Sequence, residues 1–428
     1  MRDPVALEKL SDRDKKHLWH PLTQHKVSPD VLAISRASGA LLYDEEGKEY
    51  VDGIASWYTC MYGHCNPYIL DKVMDQMQRL DQVVFSGFTH EPAVRLSEEL
   101  VKILPEGQQK LFFSDNGSTA TEIGIKMALQ YHFNQGQKRN VLLAFEEGFH
   151  GDTFGAMSVS GLSVYNGPFE DFFIEVERIP VPTKENIGSV LAQLEQRLKN
   201  NNLAGFIYEP LVQGAAAMKM HDVEGLDKIL ALLKEYGVLL IADEVMTGFG
   251  KTGRPFASDY LQTKPDIVCL SKALTAGLIP MGLTTCTEEV YMAFYSDDIA
   301  KGLFHGHTYS ANPLACTTAL AALELLQSEE IQQSIKAISQ WHQQFGEEIK
   351  DHPKVGSIRQ LGVIFALDLN VKMERYGNLR NKLFTHFMDQ GVFLRPLGST
   401  IYILAPYVTT KDQMERIYSA IRSALELV

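Results

Sequence analysis

Lys272 closes the apolar run IVCLS, and Asp243 closes the apolar run LLIA 29 residues earlier. An amine at the end of a buried strand loses solvation, which lowers its pKa and makes it a nucleophile able to form an imine near neutral pH. The alternative for Lys272 alone is a solvated strand-end lysine. A carboxylate in the position of Asp243 needs a positive partner, and a protonated pyridine nitrogen would serve. By itself, a strand-end Asp is as often a metal ligand or a helix cap. A third element, SDNGSTATE (114–122), runs from a strand end into a helix. Gly117 allows close backbone approach there, and Ser118 and Thr119 offer hydroxyls and amides at the helix N-terminus, a site suited to a phosphate. The same stretch also reads as a plain capping box, Thr119-Ala-Thr-Glu122.

Two stretches imitate other chemistry. GFGKTG (248–253) contains Gly-Lys-Thr, but the glycine required five residues before Gly250 is Val245, which argues against nucleotide hydrolysis. Cys60 and Cys65 with His64, and the pair His305 and His307, lack a second ligand pair at zinc spacing. They are read as structural or substrate-lining, and no metal site is expected.

The elements that must position these residues are those of an α/β protein. From about residue 90 to 290, short aliphatic runs alternate with amphipathic segments. LFFSD (111–115), VLLAF (141–145), GFIYEP (205–210), GVLLIADEV (237–245) and IVCLSK (267–272) are predicted strands, and Thr121–His132 a helix with Ile123, Met127 and Tyr131 on one face. In an open α/β sheet, ligands gather at the carboxyl ends of the strands, where Asp243 and Lys272 sit. Residues 33–55 read as a hairpin turning at Asp44–Gly47. The C-terminal part alternates helices with VIFALDL (363–369) and TIYILAP (400–406). The expected layout is a large α/β domain over 61–325, with a mostly parallel central sheet. Segments 1–60 and 326–428 combine into a smaller α+β domain.

The 428 residues carry a net charge of -13, which disfavours a nucleic-acid partner. Five scattered cysteines are no disulfide framework, and they suit a reducing compartment. The first residues are charged and contain no apolar stretch of signal-peptide type. No run of about 18 apolar residues occurs anywhere, so neither a membrane span nor membrane partners are expected, and a cytoplasmic location is.

EGFHGDTFGAMSVSG (147–161), LLIADEVMTGFGKTG (239–253), SKAL (271–274) and HGHTYSANPLAC (305–316) closely resemble the class III aminotransferases of PLP fold type I. The resemblance implies pyridoxal 5'-phosphate (PLP) as cofactor, with Lys272 as its Schiff-base lysine and proton carrier. It implies that Asp243 faces the pyridine nitrogen, supported by Glu209. Phe149, where many relatives carry Tyr, would stack on one ring face and Val245 on the other. Gly117 and Ser118 would hold the phosphate, and Thr308 would reach it from a second subunit, making a homodimer with shared active sites.

Within that class, LWHPLTQ (18–24), VDGIASWY (51–58), KMALQYHF (126–133), GDTFGAMSV (151–159) and LRPLGSTIYILAPY (394–407) resemble the biotin-pathway branch that aminates 7-keto-8-aminopelargonic acid. That likeness implies that Arg395 binds the keto acid's carboxylate, a role suited to a planar guanidinium. Trp57 and Tyr58 would line the alkyl-chain slot together with Tyr402, Gly306 and His307. Core packing is the other reading of Trp57, Tyr58 and Tyr402. Leu22, Lys251 and His307 depart from the branch pattern of Tyr, Arg and Pro, near the donor or substrate region. The implied donor is S-adenosylmethionine, with lysine as the alternative. The competing functions are a class III ω-amino-acid or diamine transaminase, a non-catalytic binding module of the same fold, and an isomerase moving an amine within one substrate.

Overall fold

Seven strands build the central sheet of the computed structural model, which describes residues 9–163, 166–371 and 378–428. Across the sheet they run in the order Gln108–Ser114, Gly282–Thr287, Ile267–Leu270, Leu239–Asp243, Leu203–Tyr208, Val141–Phe145 and Val176–Ile179. Gly282–Thr287 is antiparallel to both neighbours, and the other six strands share one direction. The strands predicted from aliphatic runs are therefore present, within a few residues at each end. Val141–Phe145, Leu203–Tyr208, Leu239–Asp243 and Ile267–Leu270 are buried at every residue, as strands covered on both faces must be.

Val176–Ile179 and Gly282–Thr287 were not anticipated. The second has the sequence GLTTCT, with no aliphatic run to announce a buried strand. Its hydroxyls are satisfied internally, Thr284 donating to the Ala120 carbonyl at 2.7 Å and Thr285 to Gln108 Oε1 at 2.5 Å. Paired donors remove most of the cost of burying a hydroxyl.

Helix Gly117–Asn134 lies against this sheet. Close packing depends on Gly124, where a Cβ would come within 3.1 Å of Cys269 Sγ and 3.3 Å of Ile241 Cγ2. Because six strands are parallel, their carboxyl ends meet along one edge, bringing Ser114, Tyr208, Asp243 and Leu270 together before the chain turns away.

A second, four-stranded sheet draws on both ends of the chain. Ile34–Ser38, Leu41–Asp44 and Glu49–Asp52 form an antiparallel meander, and Val392–Phe393 adds parallel to Glu49–Asp52. The turn falls at Asp44–Gly47 as predicted. Asp44 Oδ1 accepts from the amides of Glu46 and Lys48, and Gly47 takes φ 85°, a conformation cheap only for glycine. Val355–Leu361, Ile364–Leu369 and Thr400–Ile403 form a third, antiparallel sheet. Backbone bonds from Gly53 to Phe393 (3.0 Å) and from Leu404 to Gly53 (2.9 Å) fasten the N-terminal strand end to the C-terminal segment. Trp57 and Arg395, far apart in sequence, are thereby made neighbours. Among the described residues no helix is long and apolar enough to cross a membrane.

Candidate active site

Lys272 and Asp243 leave adjacent parallel strands, with Asp243 in register with Cys269. Lys272 opens a short 3-10 turn, Lys272–Thr275, with φ 51°. Left-handed backbone costs a non-glycine residue about 1–2 kcal/mol, and strain of this kind gathers at functional positions. Its Nζ stands 5.5 Å from the centroid of the Tyr58 ring. Burial lowers the pKa of this amine, and the charges of Asp243 and Glu209 oppose the shift. The result is an amine whose neutral, nucleophilic form is favoured relative to a surface lysine.

Asp243 is buried and held by two donors. His150 Nδ1 lies 2.7 Å from Oδ2, and the Val245 amide donates to Oδ1 at 3.1 Å. An ionised carboxylate offers about four acceptor positions, so capacity remains for a cationic ligand. His150 is itself buried, and among the described residues its Nε2 has no hydrogen-bond partner. His150 lies within EGFHGD, where nothing in the sequence alone marks it for a role. Glu209 accepts from the Phe149 amide at 3.0 Å and from the Gly214 amide at 2.9 Å. Burial, with Asp243 adding to it, pushes the Glu209 carboxyl up to about 7, against the pull of His150 and the two amides.

The proposed phosphate cradle is built from the start of helix Gly117–Asn134. Its cap is Asn116, whose side chain accepts from the Thr119 amide while Thr119 Oγ1 accepts from the Asn116 amide. The capping box predicted at Thr119–Glu122 is therefore one turn out of place. Glu122 is engaged elsewhere, accepting from Thr153 Oγ1, Gly155 and Ala156 at the start of the next helix. Ser118 Oγ accepts from the Asp152 amide at 3.2 Å. Gly151, at φ 132°, approaches so closely that a Cβ would fall 2.1 Å from Ser118 Oγ. At Gly117 a Cβ would lie 2.9 Å from Val245 Cγ1, so the helix start and Val245 share one wall.

The opposite side is formed by Trp57, Tyr58, Tyr402 and Arg395. The Arg395 guanidinium stands 4.8 Å over the Trp57 ring, and the rings of Tyr58 and Tyr402 meet edge to face at 5.9 Å. Trp57 and Phe149 remain 39% and 42% exposed, unlike the buried Tyr58 and Tyr402. Half-open aromatics at a strand-end cleft suit ligand contact, whereas Tyr58 and Tyr402 pack as core on their inner sides. Tyr402 is buried beside Tyr58, and burial pushes its hydroxyl up to about 12. Trp57 and Tyr58 belong to a left-handed turn in which Ala55, Ser56, Trp57 and Tyr58 all take positive φ, between 46° and 70°.

Gly306 and Thr308 stand apart on an exposed loop. Its neighbour His307 pairs with Asp115 at 3.3 Å, and the Thr308 carbonyl accepts from Gln82 at 3.0 Å. Of the other departures from the branch pattern, Leu22 is 55% exposed. Lys251 is fully buried and donates to the Gly248 carbonyl at 2.8 Å. Burial, helped by the charge of Lys272 and opposed by Glu244, lowers the Lys251 pKa to about 7. Among the described residues no group of three His, Cys, Asp or Glu side chains is placed to hold a metal ion.

These residues fit a flat, anionic, nitrogen-containing aromatic aldehyde. Asp243 has acceptor capacity at one end, and the start of helix Gly117–Asn134 offers amides and a hydroxyl at the other. Val245 stands against that helix start, Phe149 is tied to Glu209 through its amide and keeps its ring half open, and the Lys272 amine is desolvated. Pyridoxal phosphate has this chemistry.

Comparison with known proteins agrees. Residues 22–425 match the model described as aminotransferase class-III. The chain is 42% identical over 421 residues to an adenosylmethionine-8-amino-7-oxononanoate aminotransferase of Synechococcus elongatus, covering 96% of this chain and 98% of the relative. To the protein of the same name from Aquifex aeolicus it is 36% identical, covering 99% and 98%. Among solved structures, the enzyme of that name from Methanocaldococcus jannaschii superposes with a TM-score of 0.93 at 30% identity, covering 98% of this chain and 99% of the other. An (S)-enantioselective omega-transaminase from Thermomicrobium roseum gives 0.92 at 28% identity, covering 97% and 98%. By sequence, by fold and by the chemistry gathered around Lys272, this chain belongs to the class III aminotransferase family, whose members are PLP-dependent transaminases.

Proposed function

We propose that the chain transfers an amino group to 8-amino-7-oxononanoate (7-keto-8-aminopelargonic acid), giving 7,8-diaminopelargonic acid in biotin biosynthesis, with S-adenosylmethionine as donor. The names of three of these relatives support this substrate and donor, being adenosylmethionine-8-amino-7-oxononanoate aminotransferases. The observation that carries the reading onto this chain is Arg395 seated over Trp57, next to Tyr58 and Tyr402. A guanidinium fixed on an aromatic wall receives the far carboxylate of an amphipathic keto acid, and the wall itself shelters the alkyl chain.

When bound, PLP supplies an electron sink for the carbanion that transamination requires. Asp243, oriented by His150, holds the positive charge at the ring nitrogen, and Glu209 backs it from the neighbouring strand end. Gly117 and Ser118 would hold the phosphate, and Phe149 and Val245 would flank the ring. Lys272 Nζ, whose lowered pKa favours the neutral base, would take the proton from the donor's α-carbon and, in the second half-reaction, deliver a proton to C7 of the keto acid. The unit 61–325 supplies the cofactor-holding groups. Segments 1–60 and 326–428 supply Trp57, Tyr58, Arg395 and Tyr402.

The reading extends to a homodimer in the cytoplasm, with Gly306, His307 and Thr308 completing the partner's site. Phe88, Phe304 and Tyr309 are 61%, 74% and 60% exposed, and the last two flank that loop, an apolar rim that a second subunit would cover. A visible-light titration of the holoenzyme tests the function. 7,8-Diaminopelargonic acid should bleach the cofactor band, and 8-amino-7-oxononanoate should restore it. Bleaching by simple ω-amines but not by the diamino acid would reassign the chain to the ω-amino-acid or diamine transaminases.

A further inference from the structure

We propose that Asp52 and His64 are a positioning pair that clamps the turn Ala55–Tyr58 and thereby sets the slot for the keto acid's alkyl chain; this rests on the substrate reading above. Asp52 ends its strand with its side chain fully buried, and its carboxylate accepts from three groups in and around the turn. Oδ1 accepts from the Ile54 amide at 3.2 Å, just before the turn. Oδ2 accepts from Ser56 Oγ at 3.0 Å, inside it, and from His64 Nε2 at 2.8 Å, beyond it.

His64 is a fixed anchor rather than a loose surface group. Its backbone exchanges two hydrogen bonds with Gly39, at 2.8 and 3.1 Å. Burial of the imidazole opposes protonation, but Asp52 and Cys60 outweigh it and hold the pKa at about 10, so a cation neutralises the buried carboxylate.

None of the four residues in the turn is glycine, so nothing intrinsic favours four successive left-handed conformations. An external constraint must hold them, and the Asp52 carboxylate spans the segment. The two residues that follow the turn, Thr59 and Cys60, are seated on the loop after Lys272. At Gly277 a Cβ would come within 2.6 Å of Cys60 Sγ and 3.0 Å of Thr59 Oγ1. A change at Asp52 therefore acts on Trp57, which carries Arg395, and on Tyr58, which faces Lys272 Nζ, without touching the groups assigned to the cofactor.

Asp52→Ala, Asp52→Asn, His64→Gln and, as reference, Arg395→Ala are compared as holoenzymes by steady-state kinetics and by the cofactor absorption band. Asp52→Ala and His64→Gln should raise KM for 8-amino-7-oxononanoate about tenfold, with kcat, donor KM and the absorption band nearly unchanged. Asp52→Asn should recover most of the loss, because Asn keeps an acceptor for Ile54 while Ser56 and a neutral His64 can accept from its amide. Loss of kcat and both KM values together, or equal effects of Ala and Asn, would make the pair merely structural and overturn the inference. His64→Gln decides alone should Asp52→Ala fail to fold. An unmoved KM in these variants beside a raised KM in Arg395→Ala overturns the inference only. An unmoved KM in all of them, Arg395→Ala included, overturns the substrate reading together with it.

Discussion

Substituting Gly117 by Ala probes the cofactor pocket through a single methyl group. The new Cβ would stand 2.9 Å from Val245 Cγ1 and 3.4 Å from Cγ2, with Ser271 Cβ behind at 3.7 Å. Carbon atoms prefer at least ~3.5 Å, so about 0.6 Å must be found on the near side. Val245 cannot yield freely, because its amide is bonded to Asp243 Oδ1 at 3.1 Å and any backbone shift pulls on that carboxylate. Overpacking a tight site costs about 1–3 kcal/mol, which corresponds to cofactor affinity weakened about fivefold to 150-fold. Pyridoxal-phosphate loading measured by absorbance after equilibrium dialysis reads this directly, with circular dichroism to confirm the fold. Adding Val245→Ala removes the opposing methyls, so the double variant should recover most of the affinity that Gly117→Ala loses relative to Val245→Ala. Unchanged loading in Gly117→Ala, or no recovery in the double variant, refutes the shared wall.

Lys272→Ala should abolish turnover while circular dichroism stays that of the parent; transamination at near wild-type rate would remove Lys272 from the chemistry. Glu209 should make the cofactor-free protein pH-sensitive. Its folded pKa of about 7 lies above the ordinary carboxyl value of 4.5, so the acid form's contribution is present at low pH and lost as pH rises from 4.5 through 7. The loss by pH 8 is on the order of 3 kcal/mol. Thermal melts should fall over that window and flatten in Glu209→Gln, and parallel melts for the two proteins would contradict the assignment.

What the sequence determined by itself was the frame of the large sheet and the placement of Asp243 and Lys272, the two residues proposed to face the cofactor, at its strand ends. Aliphatic runs such as VLLAF and LLIAD can be satisfied only by strands covered on both faces. A charged residue at the end of such a run, as at Asp243 and Lys272, must emerge at the sheet's edge. The capping choice in SDNGST was open in the sequence, because Asn116 and Thr119 are both competent caps. Tertiary structure decided it by drawing Glu122 away to Thr153 and Ala156. The strand GLTTCT escaped prediction because its hydroxyls find partners only when Ala120 and Gln108 are brought beside it.

His150 illustrates the deeper limit. Its bond to Asp243 crosses 93 residues, and no spacing rule links them. Nor does ASWY contain a glycine or proline to signal a left-handed turn. That conformation exists because Asp52, Ser56 and His64 meet around one buried carboxylate once the sheets are assembled. Hydrophobic periodicity is a local property and can be read along the chain. Carboxylate partners and imposed backbone strain depend on which strand ends meet, and only folding settles that.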